Sequence, residues 1–361
     1  MKIERLYRCC LALAALLLSG CDQPGEAPQG FAGLGNQAAT FSPVVPGRAF
    51  SFPADHGAHD GFRIEWWYLT ADLSDAQGRH FGVQWTLFRS ALRAAPEQPG
   101  WSAPLVWLGH AAATSATRHY AAERHARGGV GQAGVIAQPF QAWIDDWQLR
   151  SLAPGQDPLA RMQVQASGKG FAYQLQLTSS RPLVLQGEGG YSRKSDQGQA
   201  SYYYSQPFFQ ASGQLQIDGQ DYQVSGPAWL DREWSSQPLA AGQTGWDWFS
   251  LHLDSGERLM LFRVRDSTQG PYITGTWIDA QGQARSLNRE QIQLTPLAYS
   301  EVAGRRIPTR WGLKIPDKGL DITTRALNPQ AWMNLSIPYW EGPVTLGGSH
   351  TGSGYLEMTG Y

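Results

Sequence analysis

The chain has 361 residues, a formal net charge of −1 and only 16% charged residues, which leaves no electrostatic footprint for nucleic acid. Its aromatic content stands out, with 15 Trp, 14 Tyr and 13 Phe beside 41 Gly and 22 Pro. That mixture reads as many short strands joined by tight turns, and no segment of helical length keeps a 3.6-residue period, so the expected class is all-β.

Residues 1–20 read as a lipoprotein signal peptide. Lys2, Arg5 and Arg8 form a basic start, and the apolar run Leu11 to Leu18 is too short to span a bilayer well. Leu18-Ser19-Gly20-Cys21 matches the bacterial lipobox, so Cys21 is expected to be lipidated and to become the mature N-terminus. Lipid chains at Cys21 would hold the protein on a membrane of the cell envelope, facing the periplasm. Asp22 resembles an inner-membrane retention signal and favours that membrane slightly. Cys9 and Cys10 lie inside the signal, so the mature domain has no internal disulfide and no thiolate metal site. Residues 21–44 are rich in Gly, Pro, Ala and Gln and read as the anchor and a flexible tether.

From Asp55 to Arg89 the chain carries a His-rich loop and then a hairpin. Arg63 to Leu73 and Phe81 to Phe88 are aromatic and β-branched runs on either side of a turn at Asp75-Ala76-Gln77-Gly78. Alternation puts Trp66, Tyr68, Thr70 and Asp72 on one face, with Glu65, Trp67, Leu69 and Leu73 on the other. His56 and His59, with Asp55 and Asp60, admit two readings: a metal site, or a loop held by His–Asp hydrogen bonds. The H-x-x-H spacing lies in a Gly-containing loop with no third histidine at an identifiable spacing, which favours hydrogen bonds, with His56 as a possible proton shuttle. No metal and no cofactor are expected.

The hairpin has a second copy. The run from Trp246-Asp247-Trp248-Phe249-Ser250-Leu251-His252 to Gly256 resembles Trp66 to Gly78 with a shorter turn, and Glu257 to Arg263 resembles Arg79 to Arg89. The closings match as well: Trp229-Leu230-Asp231 against Tyr355-Leu356-Glu357. Repetition in this order implies two barrels of one type, with a boundary near Ser236–Thr244. Trp246, Trp248, Ser250 and His252 share a part-polar aromatic face, as expected of strands lining a barrel cavity with room for one small ligand. Asp231 and Glu233 flank Arg232 just before Trp234. They read either as an acid group at the mouth of the first barrel or as members of a structural ion pair, in which Arg232 or Arg63 neutralises Glu65 or Glu233. There is no G-x-S-x-G elbow, no dinucleotide fingerprint and no Walker loop; Gly128-Gly129-Val130-Gly131 lacks the lysine of a phosphate cradle.

Four segments together resemble the AttH family, which stands with the carotenoid 1,2-hydratases (hydroxyneurosporene synthases) and kievitone hydratase. They are HGAHDGFRIEWWYLTADL, GPAWLDREWSSQPL, GWDWFSLHLDSGERLMLFRVR and the closing YWEGPVTLGGSH…GSGYLEMTGY. The resemblance covers residues 45–361. It implies two lipocalin-like antiparallel β-barrels packed together, at residues 45–238 and 239–361, and a frequent setting beside an ABC-type permease. Carotenoid hydratases protonate a C=C bond and let water capture the cation, which needs a buried acid and sheltering aromatic faces. Their segment corresponding to Asp231-Arg232-Glu233-Trp234 reads Asp-His-Asn-Trp, so Asp231 and Trp234 match while Arg232 and Glu233 depart. An aspartate of the hydratases falls near Arg263 here, and arginine is a poor general acid.

Three functional expectations follow. The protein binds a large apolar ligand of isoprenoid or acyl type through Trp66, Tyr68, Trp234, Trp246 and Trp248. Alternatively it hydrates or isomerises a C=C bond, with Glu65, Asp231, Glu233 and His56 as acids or proton shuttle. In the third it is a periplasmic accessory of a transporter.

Overall fold

A computed structural model of the chain describes residues 41–94, 98–153, 157–237, 239 and 242–361. The expected signal peptide, Cys21 and most of the tether lie outside the described residues. Among the described residues the protein is built almost wholly of strands, and no helix is long and apolar enough to cross a membrane.

The first strands are β1 (Ile64–Asp75), β2 (His80–Ala91), β3 (Leu105–Ser115), β4 (His119–Arg127), β5 (Ala133–Ala137), β6 (Phe140–Ile144) and β7 (Trp147–Ser151). They are followed by β8 (Arg161–Gly168), β9 (Phe171–Thr178), β10 (Val184–Leu185), β11 (Tyr191–Arg193), β12 (Ala200–Ile217) and β13 (Gln220–Ser235). The second set is β14 (Gln243–Leu253), β15 (Arg258–Asp266), β16 (Tyr272–Ile278), β17 (Ala284–Leu287) and β18 (Gln293–Val302). It continues with β19 (Arg305–Ile315), β20 (Leu320–Ala326), β21 (Trp332–Met333), β22 (Tyr339–Gly348) and β23 (Gly352–Thr359). The first set forms one nearly closed, barrel-like antiparallel sheet, and the second a half-barrel.

The predicted hairpin is β1–β2, in register from Ile64 opposite Ser90 to Ser74 opposite His80. Its turn closes because the Asp75 carboxylate accepts from the backbone N–H groups of Gln77 and Arg79, and because Gly78 takes a positive φ of 75° that a side chain would resist. The duplication is visible in the strand order. The path β4-β3-β2-β1-β13-β12-β9-β8-β7 in the first sheet is matched by β17-β16-β15-β14-β23-β22-β20-β19-β18 in the second.

Each sheet folds around its own apolar interior. The first encloses Trp67, Leu69, Trp85, Trp107, Trp147 and Leu175, and the second Phe249, Leu251, Trp311, Leu313, Trp340 and Leu356. These are the faces opposite Trp66/Tyr68 and Trp246/Trp248. A third cluster, with Tyr68, Tyr203, Trp229, Trp248, Phe262 and Tyr355, joins the two sheets. The expectation that the part-polar aromatic strand faces line a barrel interior is thereby corrected: they face the other domain. Alternation along a strand distinguishes two faces but does not say which neighbour covers each. Close approach depends on Gly82 of β2, where an added Cβ would lie 2.5 Å from the Tyr355 hydroxyl and 2.7 Å from Pro343.

Candidate functional site

Where the two domains meet, they leave a cleft of about 120 Å³, the volume that holds roughly one benzene-sized ring. Strand register decides what it contains. Across β1 and β13, Trp66 stands opposite Glu233 and Tyr68 opposite Asp231. Across β14 and β23, Trp248 stands opposite Glu357. Across β22 and β23, Glu341 is opposite Glu357. Because side chains alternate, all of these share the faces that look across the cleft. The register also equates Asp231 with Glu357 and Tyr203 with Tyr339 in the two copies. The cleft is therefore a pseudo-symmetric meeting of equivalent strand faces.

Its walls are apolar and aromatic, with Trp66, Phe88, Trp246, Trp248 and Phe262 among them. Its polar groups are acids held by neutral donors. Asp231 is buried and accepts from the Ser205 hydroxyl at 2.5 Å, Trp229 Nε1 at 2.6 Å and the Tyr203 hydroxyl at 2.6 Å. Burial lifts its pKa to about 7, outweighing those hydrogen bonds, and the nearby charge of Glu233 adds to the rise. Glu357 accepts from Trp246 Nε1 at 2.5 Å. Burial pushes it too up to about 7, with the charges of Asp231 and Glu233 acting in the same direction. Although deep, Glu357 keeps surface open to the free space of the cleft, whereas Asp231 is 3% exposed. Glu341 is raised well above the usual carboxyl range by burial and by the charge of Glu357 across the strand pair, against hydrogen bonds from Tyr68 and Tyr339. Its Oε2 is buried without a hydrogen-bond partner.

Glu233 is different. Lys194 Nζ lies 2.6 Å away, and the Ser201 hydroxyl donates to the same carboxylate. Lys194 sits 4.3 Å above the Phe262 ring, so the cation completes the aromatic wall while neutralising Glu233. The ion-pair reading of Glu233 is the one found, with Lys194 rather than an arginine as partner.

The remaining predicted residues lie elsewhere. Glu65 faces the opposite side of β1, fully buried, 3.2 Å from Arg232 and 3.4 Å from Arg89, and it accepts from the His59 backbone at 2.8 Å. Burial alone would raise its pKa, but the His59 hydrogen bond and the two guanidinium charges hold it at about 2, so it is a fixed anion. Arg232 in turn stacks 3.8 Å over Trp67. Trp234 belongs to this face as well, stacked on His59 at 3.9 Å between ring centroids. His56 points away from the cleft, with Nδ1 2.6 Å from the Tyr204 hydroxyl and its pKa pushed down to about 3 by burial and by Arg232. His59 bonds Glu65 at 3.0 Å and Asp55 at 3.2 Å, a hydrogen-bonded loop as the spacing favoured. Of the predicted residues the cleft thus gathers Asp231, Glu233, Trp66, Tyr68, Trp246 and Trp248, and leaves out Glu65, His56 and Trp234. Arg263 faces away and pairs with Asp247 at 2.8 Å.

Glu357, Glu341 and Lys194 were not among the predicted residues. A signal for Glu357 existed, since Tyr355-Leu356-Glu357 repeats Trp229-Leu230-Asp231. For Lys194, brought in from a loop after β11, there was none. Among the described residues no group of three His, Cys, Asp or Glu side chains is arranged to hold a metal.

Residues 43–361 match the family model described as AttH-like. The crystal structure of an AttH protein from Nitrosomonas europaea is 34% identical, covering 89% of this chain and all of that one, with a TM-score of 0.77. That of kievitone hydratase from Nectria haematococca shares the fold at 16% identity, covering 89% of this chain and 96% of that one, with a TM-score of 0.65. No curated protein matches the sequence.

Proposed function

The chain belongs to the AttH-like family, and we propose that it binds an apolar, unsaturated ligand by one end in the interdomain cleft and protonates a C=C bond there. The observation that carries this reading is Glu357, a carboxyl group with a pKa near 7 whose one hydrogen-bond donor is an indole and whose surface opens into an aromatic cleft. Such a group is protonated often enough at neutral pH to serve as a general acid. In the proposed step the Glu357 proton passes to one alkene carbon, and the cation left on the other is sheltered by the faces of Trp66, Trp246 and Trp248. Water adds to the cation, and the proton it sheds returns to the carboxylate. Loss of a neighbouring C–H proton instead of water capture would make the same site an isomerase. A hydratase among proteins of this fold accords with such chemistry.

The cleft accommodates about one ring, so a long isoprenoid or acyl chain would insert its end and leave the remainder outside. Anchoring at Cys21 would keep the protein beside the membrane where such ligands dissolve, and a transporter permease could receive them there. The test is turnover of isoprenoid and acyl alkenes in isotope-labelled water. Wild type is expected to incorporate the label as a hydroxyl group, and Glu357→Gln to bind the alkene without turning it over. Binding by both proteins with no product from either would replace catalysis with carriage.

A further inference from the structure

We infer that a chain of hydrogen-bonding side chains, Glu123–His110–Tyr339–Glu341, carries protons from solvent to the acids of the cleft. The inference rests on the acid role just proposed. The path crosses the domain interface. Glu123 on β4 is partly exposed, with a side-chain exposure of 27%, and accepts from the backbone N–H and hydroxyl of Ser336. Its carboxylate lies 3.9 Å from Nε2 of the fully buried His110 on β3, a gap that a small movement of this surface side chain closes. His110 Nε2 has no hydrogen-bond partner, an unusual state for a buried nitrogen and the one required of a waiting proton acceptor. On its other side Nδ1 is 2.9 Å from the Tyr339 hydroxyl. Tyr339 hydrogen-bonds Glu341, which also receives the Tyr68 hydroxyl. Tyr68 and Tyr339 both line the cleft, and Glu341 faces Glu357 across the β22–β23 pair.

The transfers balance. When Glu341 has given up its proton toward the cleft, the Tyr339 hydroxyl proton moves to it, and the proton on His110 Nδ1 moves to the Tyr339 oxygen. Nε2 then takes a proton delivered by Glu123. The reverse sequence, in which a proton leaves Glu341 through Tyr339 to Nδ1 while Nε2 returns its own to Glu123, restores the starting tautomer. Burial keeps His110 neutral, which leaves one ring nitrogen free to accept. The other groups around the path are His125, 3.5 Å from Glu123, and the Phe88 ring against His110.

Hydrogen–deuterium exchange of the carboxylic acid infrared bands of the full chain tests this without knowledge of the substrate. Glu341→Gln and Glu357→Gln identify the bands by their loss. Transfer of wild type to deuterated buffer should shift both promptly, and His110→Gln and Glu123→Gln should each slow the Glu341 shift roughly tenfold or more, while Glu357, open to the cleft, exchanges as in wild type. Glu123 is at the surface, so its variant keeps the test valid should His110→Gln misfold. A wild-type exchange rate of the Glu341 band in a folded variant would overturn the relay while leaving the acid reading intact. Absence of both bands at neutral pH would mean ionised acids and would overturn both.

Discussion

Asp231 and Arg232 are neighbours in sequence and opposites in role. Strand alternation sends Asp231 into the cleft, where burial raises it to about 7, and sends Arg232 behind the strand to neutralise Glu65. The two environments predict opposite pH behaviour. Asp231 and Glu357 hold protons more tightly in the folded state than unfolded, so their contribution is complete below about pH 4 and is lost as pH rises toward 7. Denaturant titrations should find wild type weaker at pH 8 than at pH 5, relative to the Asp231→Asn/Glu357→Gln double variant, by on the order of 1–3 kcal/mol. Glu65 has the reverse sign, its stabilisation being present above its unfolded pKa of 4.5 and lost as pH falls toward 2. Glu65→Gln leaves the buried Arg232 guanidinium without its anion, and Arg89 with Asp60 alone, and should cost about 3–5 kcal/mol in chemical denaturation while leaving ligand binding unchanged. A fall in binding without a fall in stability would place Glu65 in the site after all.

At the scale of the element, β1 explains both what the sequence revealed and what it hid. Its alternation, hairpin register and turn were all legible, because period-two patterning and Asp/Gly turn chemistry are local. Parity along β13 also separates Trp234 from Asp231 and Glu233, and that signal is present in the sequence. The pairing of Glu65 with Arg89 and Arg232 was only half legible, since it depends on which strands flank β1. That the Trp66 face looks at another domain was not legible at all, being a property of how two sheets dock. Gly82 governs that docking. Gly82→Val should push β2 from β22 and β23 and cost about 1–3 kcal/mol, read as a lowered thermal midpoint. An unchanged midpoint would mean that the sheets have slack to separate.

At the scale of the molecule, duplication builds the cleft. Two copies of one sheet bury their apolar interiors separately and bring equivalent faces together, so that an acid from each, Asp231 and Glu357, reaches one space. Divergence between the copies then separates their surroundings: Asp231 is enclosed by three donors, while Glu357 has one and is less buried. The anchor proposed at Cys21 would add location. Cys21→Ser should move the protein from the membrane fraction to the periplasmic extract and abolish labelling by a palmitate analogue. Retention of the label would displace the lipidation site from Cys21.

The claim on which the rest depends is that the ligand occupies the cleft between the domains. Leu108 lines it and is only half-buried, so Leu108→Trp fills the space with little strain on the core. Mass spectrometry of extracts from the full chain purified from its native host, wild type beside Leu108→Trp, addresses the claim directly. An unsaturated apolar compound, together with its hydrated partner, should accompany wild type and be missing from the variant. The same compound in equal amount from both proteins would place the ligand elsewhere and contradict the account.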